Sequence, residues 1–165
     1  MLQHDNGFVM DELFAYTHKE LVNYAVLQLK RWNCYPICKE LVTSLGTSEI
    51  PDAIAWKSNY SIMFECKASR ADFLRDNKKP FRICNLNGVG DFRLYLTNEN
   101  VIKSPEEMPQ GWGCYEVING KIRYKFGTRY DNAVDFPFQG NKNKEIIIIR
   151  SWIRRNYNKG ENHVN

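Results

Sequence analysis

The chain has 165 residues, 43% of them apolar, which suits one domain with a buried core and leaves little room for a second. Its 23 Lys and Arg against 19 Asp and Glu give a formal charge of +4, a balance that permits an anionic partner without demanding one. The longest apolar run, Ile146 to Ile149, falls far short of the roughly 18 to 20 residues of a membrane span. Met1-Leu2-Gln3-His4-Asp5 lacks the basic-then-apolar pattern of a signal peptide, so a cytoplasmic setting with no membrane partner is expected.

A capping box, Thr17 with Glu20, opens a helix expected over Lys19 to Arg31, with Leu21, Tyr24, Ala25, Leu27 and Leu29 as its apolar side. Pro36 blocks continuation, Ile37 to Thr43 has strand character, and Ser44 to Ser48 forms a turn around Gly46. Ala53 to Trp56 is a short strand, Lys57 to Tyr60 a hairpin turn, and Ser61 to Ala68 the next strand. In that strand Ile62, Phe64, Cys66 and Ala68 share one face, and Met63, Glu65 and Lys67 the other. Ser69 caps a helix predicted over Ser69 to Lys79, which Pro80 ends.

Phe92 to Thr97 is a further strand, and Asn98 to Gly113, with Pro105, Pro109 and Gly111, a loop. Tyr115 to Ile118 and Lys121 to Phe126 flank Asn119-Gly120, a strong two-residue hairpin signal. A polar loop, Phe136 to Lys144, leads to a last helix over Lys144 to Tyr157. The order predicts an α/β sheet flanked by helices, as a single domain over residues 1–157 with a frayed tail over residues 158–165.

The chemistry concentrates in Pro51-Asp52-Ala53 and Phe64-Glu65-Cys66-Lys67. Asp52 stands where a loop enters a strand, and Glu65 and Lys67 share a face of the next one. A hairpin between them can bring Asp52 beside Glu65. Two close carboxylates repel unless a cation sits between them, and Mg²⁺ suits such a pair because it takes oxygen ligands and keeps several waters. Lys67 beside the ion could orient or help deprotonate an attacking water and stabilise charge on a phosphate. The plain alternative is a cross-strand ion pair on a solvated face.

Pro51-Asp52, twelve intervening residues and Glu65-Cys66-Lys67 resemble the signature of the PD-(D/E)XK nuclease superfamily. Ser69-Arg70-Ala71-Asp72-Phe73, Gly88-Val89-Gly90-Asp91, Arg93-Leu94-Tyr95-Leu96 and Gly111-Trp112-Gly113 resemble its MmcB-like DNA repair branch and phage-borne relatives. The resemblance spans roughly Leu41 to Val117, about half the chain. It implies a restriction-endonuclease-like fold, with a four-stranded mixed core sheet flanked by helices, and a DNA-cleaving phosphodiesterase using Mg²⁺ or Mn²⁺. By it, Asp52 and Glu65 bind the metal, the backbone carbonyl of Cys66 adds a ligand, and Lys67 assists the water. Many members add a glutamate from the first helix. Glu20 is the candidate here, against its reading as a capping residue, and Glu40 is a second with weaker grounds. The same resemblance places Arg70 over the scissile phosphate and admits a homodimer. Asp72 reads as a helix-capping residue, with Arg70 its surface partner in the plain alternative.

Two basic stretches could track a phosphate backbone: Lys121, Arg123 and Lys125, alternating with Ile122, Tyr124 and Phe126, and Arg150, Arg154 and Arg155 on the last helix. Cys34 and Cys38 are four apart with Pro36 between them, not the Cys-x-x-Cys spacing of zinc or redox sites, and the five cysteines are expected as reduced thiols. The rival to a nuclease is a non-catalytic nucleic-acid-binding module with the same fold. A third reading is an interaction protein in which Asp52, Glu65 and Lys67 form only an ion network.

Overall fold

The computed structural model describes residues 15–40, 50–78, 88–130 and 136–161, the last four of these as backbone alone. Helix α1 (His18–Arg31) starts at Thr17, whose hydroxyl accepts from the Glu20 amide while the Glu20 carboxylate accepts from the Thr17 amide, the predicted capping box. Leu21, Val22, Ala25 and Leu29 form its buried stripe. Leu27, expected on that side, instead faces solvent, because it lies about 240° around the helix from Leu21 and far from the stripe that Leu21, Ala25 and Leu29 define.

Six strands follow in sequence order across one sheet: β1 (Ile37–Lys39), β2 (Ala53–Lys57), β3 (Tyr60–Lys67), β4 (Phe92–Asn98), β5 (Gly113–Ile118) and β6 (Lys121–Gly127). The β1–β2, β2–β3 and β5–β6 pairs are antiparallel, and β3–β4 and β4–β5 are parallel. The sheet is therefore mixed and flanked by helices, as expected, with six strands among the described residues. Helix α2 (Arg70–Asp76), capped by Ser69, sits in the crossover from β3 to β4, as a parallel pair requires. It ends before the predicted Lys79, with Asn77 as its C-cap. The loop after β4 holds one short 3₁₀ turn, Pro105–Glu107.

Helix α3 (Lys142–Glu161) begins earlier than predicted, because the Asn141 side chain caps the Lys144 amide. It also runs on to Glu161, through residues read as frayed tail: extending a formed helix by a turn costs little beside nucleating one. The 41–43 end of the first predicted strand, the Ser44 to Ser48 turn, Pro80 and residues 162–165 lie outside the described residues. No helix among the described residues is long and apolar enough to cross a membrane.

Alternation in the strands divides the core in two. On one face Ala53, Ala55, Ile62, Phe64, Cys66, Leu94, Leu96, Tyr115 and Val117 pack under α1. On the other, Ile54, Met63, Tyr95 and Cys114 pack with Phe73 of α2, Trp112 and Ile148 of α3. All eight residues of β3 are buried, so Glu65 and Lys67 stand on a covered face instead of a solvated one. The hairpin β5–β6 departs from simple alternation. A bulge between Cys114 and Tyr115 shifts the register by one at Lys125, so Phe126 packs with Cys114 on the face where Lys125 meets Glu116. The predicted division of β6 into one cationic and one apolar face therefore holds for Lys121 to Tyr124 and fails beyond it.

Candidate active site

Register assembles the site. Ala53 pairs with Phe64 across the β2–β3 ladder, which puts Asp52 opposite Glu65 at its end. Asp52 Oδ2 accepts the Cys66 amide at 2.7 Å, a bond that fixes the carboxylate against the β3 backbone. The Cys66 side chain packs under α1, so the cleft receives only its main chain. Lys67 Nζ lies 2.8 Å from Glu65 Oε1 and 3.3 Å from Asp76 Oδ1. Together with His18 and Arg75, these groups line a cleft of about 440 Å³.

The electrostatics are uneven. Burial first, and then the neighbouring Glu65 charge, push Asp52 up to about 6, against the opposing help of the Cys66 amide, His18 and Lys67. For Lys67, burial works against the charged form, but Glu65 and Asp76 outweigh it and raise the pKa. The lysine is thus held as an ammonium. Two carboxylates facing each other, one of them strained towards its neutral form, make a donor set that a divalent cation would relieve. Oxygen donors from Asp52, Glu65 and the Cys66 main chain fit a hard ion such as Mg²⁺. Among the described residues, no group of three or more His, Cys, Asp or Glu side chains converges as a ready-made metal site.

The other predicted residues fall elsewhere. Glu20 spends its carboxylate on Thr17, in the amide and hydroxyl bonds of the capping box, and does not line the cleft. From the same helix His18 reaches it, with Nε2 3.4 Å from Asp52 Oδ1 and 3.7 Å from Glu40 Oε1. Arg70 points away: its guanidinium makes a two-pronged pair with Glu107, at 2.6 and 2.7 Å, and donates to the Val101 carbonyl. Arg75, one turn further along α2, lines the cleft instead and pairs with Asp72. Lys125 is committed to Glu116 and the Ile102 carbonyl. Lys121, Arg123, Arg150, Arg154 and Arg155 are exposed, the first two on β6 and the last three on α3.

Sequence reasoning missed Asp76 and His18. His18 carried only the faint signal of being the first residue after the Thr17 cap. Asp76 carried none, because an acidic residue near a helix end is ordinarily solvated. The cysteines Cys34, Cys38, Cys66 and Cys114 are free and buried, and burial pushes the first of them up to about 11 and Cys38 and Cys114 to about 12. They are packing groups, not nucleophiles.

No protein-family model and no curated protein matches the chain. Among solved structures, it is similar to SPO1766, a protein of unknown function from Silicibacter pomeroyi, with a TM-score of 0.56 and 17% identity over 88% of this chain and 90% of that one. At that identity the likeness concerns the fold alone.

Proposed function

We propose that the chain is a metal-dependent nuclease hydrolysing phosphodiester bonds in DNA, acting in the cytoplasm in repair, recombination or phage DNA processing. Asp52, Glu65 and the Cys66 carbonyl hold Mg²⁺ or Mn²⁺, and Lys67 completes the centre. The observation that carries the reading is the meeting of Asp52 and Glu65 at one end of the β2–β3 ladder, with the Lys67 ammonium in the same cleft. When bound, the ion supplies a Lewis acid that lowers the pKa of a water and offsets charge on the phosphate. The protein's own part is to exclude bulk water through the covered face of β3, to fix Asp52 by the Cys66 amide, and to present a cation. With carboxylates on two sides of its ammonium, Lys67 serves as donor and charge stabiliser and not as the base.

One observation favours the rival, a nucleic-acid-binding module without catalysis. The Glu65 carboxylate is already neutralised by Lys67 at 2.8 Å, as in an ion network that needs no metal. Incubating the purified protein with plasmid, linear duplex and single-stranded DNA in Mg²⁺, Mn²⁺ or EDTA separates them. Cleavage that EDTA abolishes supports the nuclease; binding without cleavage in every condition transfers the proposal to the module.

A further inference from the structure

Asp76 is a carboxylate with 1% of its surface exposed, a burial that acidic side chains tolerate only when paired. It is the fully buried acidic residue of α2; Asp72, half-buried at the edge of the same cleft, pairs with Arg75. Oδ1 of Asp76 lies 3.3 Å from Lys67 Nζ, and Oδ2 accepts the Tyr95 hydroxyl at 3.0 Å. The Tyr95 ring is itself clamped, stacked on Trp112 with centroids 4.6 Å apart and meeting Phe73 edge-on at 5.4 Å. The next residue, Asn77, donates to the Glu107 carbonyl, and Arg70 grips the Glu107 carboxylate, so both ends of α2 are tied to the loop after β4.

We propose that Asp76 is a positioning residue for Lys67, a buried carboxylate that α2 lays against the ammonium so that the lysine presents its remaining N–H to the cleft beside Asp52 and Glu65. The inference rests on the nuclease reading of that cleft. A lysine ammonium has three donors on a flexible stem. Glu65 takes one by a hydrogen bond, and Asp76 Oδ1, 3.3 Å away, holds the ammonium by charge, leaving a donor for a water or a phosphate oxygen. With Glu65 as the only partner, the lysine would follow a carboxylate that also has to serve a cation, and that cation would repel it. Asp76 holds the ammonium from a point outside the Asp52–Glu65 pair. The rigid Tyr95 and Trp112 platform keeps that point fixed.

The test uses Asp76→Asn, which keeps an acceptor for Tyr95 but removes the charge, and Tyr95→Phe, which removes the anchor and leaves the charge. Steady-state cleavage, Mg²⁺ binding by calorimetry and the ¹⁵N resonance of the Lys67 ammonium, identified by its loss in Lys67→Met, are read for each. Expected for Asp76→Asn are a fall in kcat of about 10- to 100-fold, the size typical of a lost orienting partner, with KM and Mg²⁺ affinity unchanged, and a shifted or exchange-broadened Lys67 signal. Tyr95→Phe should show the same pattern to a smaller degree, and it carries the test if Asp76→Asn does not fold. An unmoved Lys67 resonance in the folded variants, or an unchanged kcat, overturns the proposal. A wild type that cuts no nucleic acid removes the nuclease reading, while the resonance still decides whether Asp76 holds the lysine.

Discussion

Both ends of β3 carry a cluster of acids and a lysine on the same face of the sheet, and the two clusters are built to opposite ends. At the start of the strand, Asp91 accepts from the Ser61 amide, the Gly140 amide and Lys142. Glu145 accepts from Ser61, the Gly90 amide, the Trp56 indole and Lys142. Every oxygen there has a donor, and although burial alone would raise Asp91, the bonds from Lys142, Gly140 and Ser61 bring it below the ordinary carboxylate range. At the far end Asp52 has one backbone donor and a carboxylate neighbour, and it is pushed up to about 6. The first cluster is a clasp that pins the start of α3 to the sheet; the second leaves the Asp52 carboxylate short of donors beside another carboxylate. Buried acids are common to both, so burial does not mark a site. The balance of donors does.

The largest effects should appear in cleavage. Asp52→Asn should abolish metal-dependent cutting, and Lys67→Ala should lower the rate about 10² to 10³-fold, the size of a lost electrostatic stabiliser. Neither change removes an apolar core group, but the structure places Lys67 between two carboxylates, so Lys67→Ala should also lower the melting temperature. The matching change at the other end, Asp91→Ala, should leave metal affinity untouched and destabilise the fold by about 3 kcal/mol or more, because the Ser61 and Gly140 amides are left buried without acceptors. Loss of metal binding in Asp91→Ala would erase the distinction between the two clusters.

Stability against pH sharpens it next. Asp52 has a folded pKa raised to about 6, so its proton favours the folded state: that contribution is full below about 3.9 and lost as the pH rises through about 6. Asp52→Asn should therefore be more stable than wild type at pH 7, by about 1 to 3 kcal/mol, and its stability should change less between pH 4 and 6. Mg²⁺ should raise the wild-type melting temperature and not that of the variant. Asp91 has the opposite sign: its contribution is present above about 3.9 and lost as the pH falls below it. Chemical denaturation across pH 3 to 8 reads both signs, and a less stable Asp52→Asn at pH 7 would mean that the cleft is as satisfied as the clasp.

What the sequence disclosed and what it hid follow from range. The Thr17–Glu20 box, the Ser69 cap, the Asn119-Gly120 hairpin and the alternation along β3 are decided by residues within a few positions of each other, and all are present. Asp52 beside Glu65 was legible too, since one short hairpin fixes their register. The clasp joins Ser61 to residues 30 and 84 positions away, and nothing local in Ser61 or Glu145 distinguishes them from surface groups. Arg70 and Arg75 are chemically alike; the docking of α2 against the loop bearing Glu107 decides which of them faces the cleft. The bulge at Lys125 likewise depends on where Gly127 has to meet Gly113, where a Cβ on Gly113 would lie 1.9 Å from the Thr128 carbonyl oxygen.

The smallest predicted effect concerns which basic patch meets DNA, and it again divides the molecule by its two ends. Lys67, Thr97, Glu116 and Arg123 occupy successive strands in one row of the sheet, so Arg123 stands three strand spacings, roughly 15 Å, from the cleft. Two strands of a duplex backbone can cover such a span. The α3 arginines belong instead to the helix whose start is held by the clasp, and Arg154 and Arg155 already have partners within the protein. Each lost phosphate contact should reduce the slope of log affinity against log salt by about 0.9 on duplex DNA. Replacing Lys121 and Arg123 by Ala should therefore flatten the slope by up to about 2, and replacing Arg150, Arg154 and Arg155 together by less, when binding is measured in Ca²⁺ or EDTA to prevent cleavage. Arg70→Ala should leave the slope unchanged, since its guanidinium is committed to Glu107 and Val101. A larger loss from the α3 triple than from the β6 pair would move the DNA path off the row that contains Lys67.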